Sequence, residues 1–98
     1  MPWKGLATPR YNKRRRKLTP EVLRVLNDVQ IKLLEDPLTG DRKRGTLKDV
    51  WVEKFQAGND QYLVAYEIAE KGKTVTFLDI GQHENFYRDL EKYKKATR

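Results

Sequence analysis

Between residues 20 and 36 the apolar positions Val22, Val25, Leu26, Val29 and Leu33 recur with a helical period, with Leu23, Gln30 and Leu34 along one flank. The ends of this pattern carry matching signals. Thr19 is a good N-cap, Pro20 suits the first helical position, and Glu21 complements the positive end of the helix. Asp36-Pro37 stops it, because a residue before proline avoids the α region. The spacing then changes to that of strands. Residues 50–56 are rich in β-branched and aromatic side chains, and residues 62–69 place Tyr62, Val64, Tyr66 and Ile68 on one face. A third strand is predicted over 74–80, with turns at 57–60 and 70–73 joining the three into a meander. Phe86, Leu90 and Tyr93 then return to helical spacing, which predicts a terminal helix over 85–95.

The beginning of the chain is less regular. Trp3 and Leu6 among Pro2, Gly5 and Pro9 suit an arm or a short edge strand over residues 1–8. Residues 9–17 read either as a short helix opened by Pro9 or as a charged stretch with little to bury. A polar loop with Gly40 and Gly45 spans 37–46. The expected architecture is α+β in a single domain, 1–98: helices over 9–36, a meander over 47–80, and a tail over 81–98. The amphipathic helix is the expected cover for one face of the meander.

Composition removes several kinds of chemistry. The 98 residues contain no cysteine and one histidine, which rules out a disulfide framework, a thiolate or multi-histidine metal site, and a cysteine nucleophile. No apolar run approaches the length of a membrane span and the start lacks a signal-peptide core, so a soluble, cytoplasmic protein is expected. The net charge of +7 is unevenly placed. Lys4, Arg10, Lys13, Arg14, Arg15, Arg16 and Lys17 precede the first acidic residue, and the rest of the chain is balanced. A local basic block fits a polyanionic partner or an acidic protein surface.

No phosphate-binding loop, dinucleotide fingerprint or hydrolase elbow is present. Two features remain. Residues 81–88 gather His83, Glu84, Tyr87 and Arg88 just beyond the last strand, and Lys54 lies on the first meander strand after Arg42, Lys43, Arg44 and Lys48. In a meander, Lys54 and residues near 80 are separated by two strand spacings, about 10 Å, which long side chains can bridge. Lys54 alternates with Val50 and Val52, while Trp51, Glu53 and Phe55 point the other way, and the expectation is that Lys54 ends at a solvated edge. Each group also has a plain structural use: a lone histidine in a loop hydrogen bond, Phe86 and Tyr87 as core anchors, and residues 42–44 as a solvated loop.

Four segments carry a resemblance: Leu-Leu-Glu-Asp-Pro-Leu-Thr-Gly at 33–40, Val-Trp-Val-Glu-Lys-Phe at 50–55, Tyr-Leu-Val-Ala-Tyr-Glu at 62–67, and Ile-Gly-Gln-His-Glu-Asn-Phe-Tyr at 80–87. In this order, over about residues 8–93, the sequence resembles the RelE/ParE family of toxins from bacterial type II toxin–antitoxin modules. The resemblance implies an N-terminal helical hairpin packed on a small antiparallel sheet with a short C-terminal helix. RelE-like members cut mRNA in the ribosomal A site, ParE-like members inhibit DNA gyrase without catalysis, and both are neutralised by a cognate antitoxin. The implied partners are therefore an antitoxin, with the ribosome and mRNA or, alternatively, gyrase; an inactive antitoxin-binding member is a third possibility. RelE-like cleavage needs neither metal nor cofactor, since the RNA 2′-hydroxyl is the nucleophile. By position, the resemblance implies His83 as general acid or base, Lys54 as electrostatic stabiliser and Tyr87 as a stacking or orienting group, with Glu84 a weaker proton acceptor. RNA or ribosome contacts then fall to Arg10, Lys13, Arg14, Arg15, Arg16, Lys17, Arg42, Lys43, Arg44, Lys48 and Arg88. Leu63 is a departure, standing where many nuclease members carry arginine.

Overall fold

The first two helices start at side-chain caps, of which the sequence predicts the second, Thr19. A computed structural model of the protein describes residues 2–82 and 86–96. Helix α1 (Pro9–Arg15) opens at Thr8, whose Oγ1 accepts the Tyr11 N–H at 3.1 Å and donates to the Leu78 carbonyl at 2.9 Å. Helix α2 (Pro20–Glu35) opens at Thr19, which accepts the Val22 N–H at 3.3 Å. Both place proline in the first turn, where its missing N–H costs no hydrogen bond. The α2 helix ends at Asp36, which is extended (φ −150°), and the Asp36 carboxylate accepts the Leu38 N–H of a following 3₁₀ turn, Pro37–Thr39.

The strands are β1 (Lys4–Ala7), β2 (Asp41–Arg42), β3 (Val50–Ala57), β4 (Asp60–Ala69) and β5 (Thr74–Gln82), in spatial order β1-β5-β4-β3-β2. Strands β3, β4 and β5 form the expected antiparallel meander, with Val50 opposite Glu67 and Tyr62 opposite Gln82. Two short strands extend it. The Lys4–Ala7 arm pairs in parallel with β5, from Lys4 opposite Thr74 to Ala7 opposite Phe77, so the sheet is mixed. The two-residue β2 pairs with β3, Asp41 opposite Val52; so short a segment leaves no period to read. The α+β expectation holds, with three α-helices among the described residues, the last being α3 (Phe86–Ala96).

One expectation needs correction: the meander is covered on both faces. Alternation sends Phe55, Ala57, Val64, Tyr66, Val75, Phe77 and Ile80 towards α1 and α2, where they meet Tyr11, Val22, Leu26 and Leu33. It sends Val50, Val52, Leu63 and Ala65 to the opposite face, where Phe86 and Leu90 of α3 pack with Leu47 and Leu78. This is why neither set on β3 is cleanly apolar in sequence, since each is half of a separate core. Between Ala65 and Tyr66, β4 advances one residue while β5 advances two, so Leu78 is an extra residue at a bulge.

Helix α1 lies along β5 just past its pairing with β1 and closes that side of the sheet. Thr8 fixes it there through the Phe77 and Leu78 carbonyls. Tyr11 stacks on Phe77, ring centroids 5.3 Å apart, on one face, while Arg10 lies 5.0 Å from the ring centre of Tyr93 in α3 on the other. At the far side, Tyr66 donates from its buried hydroxyl to the Pro37 carbonyl at 2.7 Å. A Cβ on Gly40 would overlap that hydroxyl, so the close approach requires glycine at 40.

Candidate active site

The α3-side face of the sheet carries the candidate chemistry, because register brings separate strands into one row there. Lys54 lies opposite Leu63, and Leu63 lies opposite Gly81. All three sit on the same face, two strand spacings or about 10 Å from end to end. Lys54 is exposed at one end of the row, as expected, and Leu63 is its buried centre.

Level with Val50 on the same strand as Lys54, the chain after β2 brings up a second lysine, whose N–H donates to the Val50 carbonyl at 2.8 Å. Lys43 Nζ is 2.8 Å from Asp41 Oδ2 and 5.0 Å from the centre of the Tyr87 ring in the first turn of α3. The Tyr87 ring is in turn set edge-on to buried Phe86, centroids 5.5 Å apart. The ammonium is thus shared between a carboxylate and a phenol. Hydrogen bonding to Asp41 raises the Lys43 pKa above its ordinary value; partial burial opposes this, and the Tyr87 phenol adds to the rise. Asp41 is held below the usual carboxylate range by the hydrogen bond from Lys43, then by its charge, with a further contribution from Lys54. Lys43, Asp41 and Tyr87 therefore form one linked group drawn from β2, the loop after it and α3, on the sheet face that also carries Lys54.

The neighbouring surface is a basic cleft lined by Arg42, Lys43, Arg44, Gly45 and Lys48. Arg42 is held at its edge, with Nη2 2.9 Å from Asp49 Oδ1 and the guanidinium 6.0 Å from the centre of the Trp51 ring. Arg44 and Lys48 are exposed. The loop is shaped by a 3₁₀ turn (Gly45–Leu47) and by Asp49 at φ 70°. Arg88, one residue beyond Tyr87, is also exposed.

The N-terminal basic block is divided. Asp79 is fully buried (0% exposed), with Arg10 Nε 3.1 Å from its Oδ2 and Arg14 Nε 3.3 Å from its Oδ1. Oδ1 also accepts the Ile80 N–H at 2.9 Å. The Arg10 contact is at ion-pair distance but off hydrogen-bonding geometry, so charge rather than a directed bond holds it. Arg15 donates to Asn27 of α2. Lys13, Arg16 and Lys17 are exposed, and Lys13 and Lys17 share a shallow cleft with the two arginines. Asp79 and Asp41 are the participants that sequence reading missed. Asp79 left one signal: it is the only charged residue of β5, in a chain whose first 17 residues hold cations without acids.

His83 and Glu84 lie outside the described residues, so the geometry speaks for Lys54 and Tyr87 among the expected catalytic groups. Among the described residues, no three His, Asp or Glu side chains are grouped to ligate a metal ion, and no helix is long and apolar enough to cross a membrane.

Comparison with known proteins agrees with this architecture. A family model described as a ParE-like toxin of type II bacterial toxin–antitoxin systems matches residues 6–91. No curated protein sequence matches. Among solved structures, the isolated Escherichia coli RelE toxin is similar with a TM-score of 0.73 and 22% identity, covering 96% of this chain and 98% of that one. The RelBE2 toxin–antitoxin complex of Mycobacterium tuberculosis gives a TM-score of 0.72 at 22% identity over 85% and 93% of the two chains. A YoeB/ParE toxin from Agrobacterium tumefaciens gives 0.68 at 13% identity over 82% and 98%. At these identities the likeness to solved structures is one of fold.

Proposed function

The chain belongs to the ParE-like toxins of type II bacterial toxin–antitoxin systems, and from that premise we propose that it is a ribosome-dependent endoribonuclease that arrests translation by cutting mRNA. The observation that carries this reading is the convergence of Lys54, Lys43 and Tyr87 on one sheet face, beside the cleft of Arg42, Arg44 and Lys48. Such a surface suits a phosphodiester chain, whose negative charge must be neutralised where it bends for reaction.

In the proposed reaction the RNA 2′-hydroxyl gives up its proton and its oxygen bonds to the adjacent phosphorus. The bond from phosphorus to the 5′-oxygen breaks, and that oxygen takes a proton, leaving a 2′,3′-cyclic phosphate and a 5′-hydroxyl. Charge builds on the non-bridging oxygens, which is where Lys54 acts. Lys43, paired with Asp41, adds a second cation on the same face. Tyr87 orients or stacks the nucleotide, its position fixed by Lys43 and Phe86. His83, two residues beyond Gly81 in the chain, is assigned proton transfer on residue type, with Glu84 the weaker acceptor. Lys13, Arg16, Lys17, Arg42, Arg44, Lys48 and Arg88 contact RNA or ribosome. The site of action is the cytoplasm, and a cognate antitoxin is the neutralising partner, as supported by the toxin–antitoxin complexes solved for similar folds.

The test is induction of the protein followed by mapping of transcript ends on translated and untranslated copies of one mRNA. Cleavage confined to the translated copy is expected. Lys54→Ala should lower it by about a hundredfold or more, the usual loss when one charge-stabilising group is removed. Intact transcripts with gyrase inhibition would instead make the protein a non-catalytic ParE-like poison, the reading that buried Leu63 at the centre of the row favours.

A further inference from the structure

The cations of α1 were expected to serve docking alone, yet one of them reaches the reacting face. Arg14 Nη1 lies 3.4 Å from where a Cβ on Gly81 would be, with Phe86 Cδ1 at the same distance. That Cβ would point to the face shared by Leu63 and Lys54. The guanidinium therefore occupies the space of an absent side chain, at the opposite end of the row from Lys54. Its approach is fixed on the other side by Asp79 Oδ1 at 3.3 Å from Nε. Asp79 is wholly buried, while the Arg14 side chain keeps 36% of its surface exposed.

We propose that Arg14 is a catalytic cation of this site, binding the phosphodiester from the β5 end of the row while Lys54 binds it from the β3 end, with Asp79 as its positioning residue. The assignment rests on the nuclease reading above. Its ligand is the phosphate group of RNA. The reason for the geometry is elementary: a guanidinium held by a buried carboxylate is oriented before substrate arrives, so no reorganisation is required when charge develops. A flexible lysine on the same helix lacks that support. Gly81 has an ordinary backbone conformation, so the row needs glycine there for space and not for an unusual turn. The division of labour within α1 follows. Lys13, Arg16 and Lys17 face solvent and serve long-range, salt-sensitive attraction; Arg14 serves the reacting phosphate.

A docking role and a catalytic role separate in single-turnover cleavage of mRNA on programmed ribosomes, read as rate at saturating ribosome and as affinity. Arg14→Gln should lower the saturating rate by about a hundredfold while affinity changes less than about threefold, since the lost contact forms in the transition state. Because Arg14→Gln leaves Asp79 short of a partner, Gly81→Val is the companion variant. It keeps the ion pair's chemistry but crowds Nη1 with methyl groups, and it should lose rate at a temperature where a melting curve shows it folded, since Phe86 Cδ1 is equally close. Lys71→Gln, in the distant β4–β5 turn, is the control for charge alone. Saturating rates within about threefold of wild type in both Arg14→Gln and Gly81→Val would overturn the assignment. If Lys54→Ala is inactive while those two variants cleave normally, Arg14 is wrongly assigned and the nuclease reading stands. If the wild-type protein leaves translated mRNA intact, both fall.

Discussion

Asp79 shows how much of the charge arithmetic is internal. Its carboxylate is buried between Arg10 and Arg14, so Asp79→Ala would leave two guanidiniums facing one another with no counter-charge. A loss of about 1–3 kcal/mol is expected in denaturant unfolding, because the Ile80 N–H loses its buried acceptor while the two guanidiniums stay partly in water. Tyr66 and Tyr11 make a second residue-scale prediction. Burial pushes both phenols above their ordinary 10.0, with a nearby arginine opposing the shift at Tyr11. The unfolded chain therefore releases these protons first, and stability is full below about pH 10 and falls as pH rises above it, by about 1.4 kcal/mol per pH unit for each tyrosine. Tyr66→Phe should flatten that slope in alkaline unfolding curves, at a cost near neutrality of about 1–2 kcal/mol for the unpaired Pro37 carbonyl. The face of Lys54 was legible from alternation alone. The contact of Lys43 with Tyr87 was not, because it joins a loop to a helix 44 positions later and no local period records it.

Elements were most legible where the chain marks their ends. Thr19-Pro20 announces the long helix and Asp36-Pro37 closes it, whereas Pro9 alone left residues 9–17 open between a helix and a charged stretch. The edge strands were harder for different reasons. Strand β1 is exposed along its length, so it carries no alternation, and β2 has two residues. The placement of α1 depends on a threonine with two duties, capping the helix and donating to Leu78 across the sheet edge. Thr8→Val should remove both, costing about 1–2 kcal/mol. Faster hydrogen exchange confined to the amides of α1 would check this. Unchanged protection there would mean that Tyr11 and the arginine pairs alone hold the helix to β5.

At the scale of the whole molecule, a sheet buried on both faces explains both the fold and the site. The α2 side is a conventional apolar core built around Tyr66, Phe77 and Leu26. The α3 side is a smaller core whose rim exposes Lys54 and Tyr87 beside a basic cleft. The excess positive charge lies on that second side through Arg10 and Arg14 and on the outer face of α1 through Lys13, Arg16 and Lys17. The most direct measurement of the central claim uses purified protein in a reconstituted translation reaction, with an mRNA carrying one 2′-deoxy nucleotide at the cleaved position. Cleavage of the all-RNA message to a 2′,3′-cyclic phosphate and a 5′-hydroxyl, abolished by that single missing hydroxyl, is the result this account predicts. An intact message in both cases, or equal cleavage of the 2′-deoxy message, would contradict it.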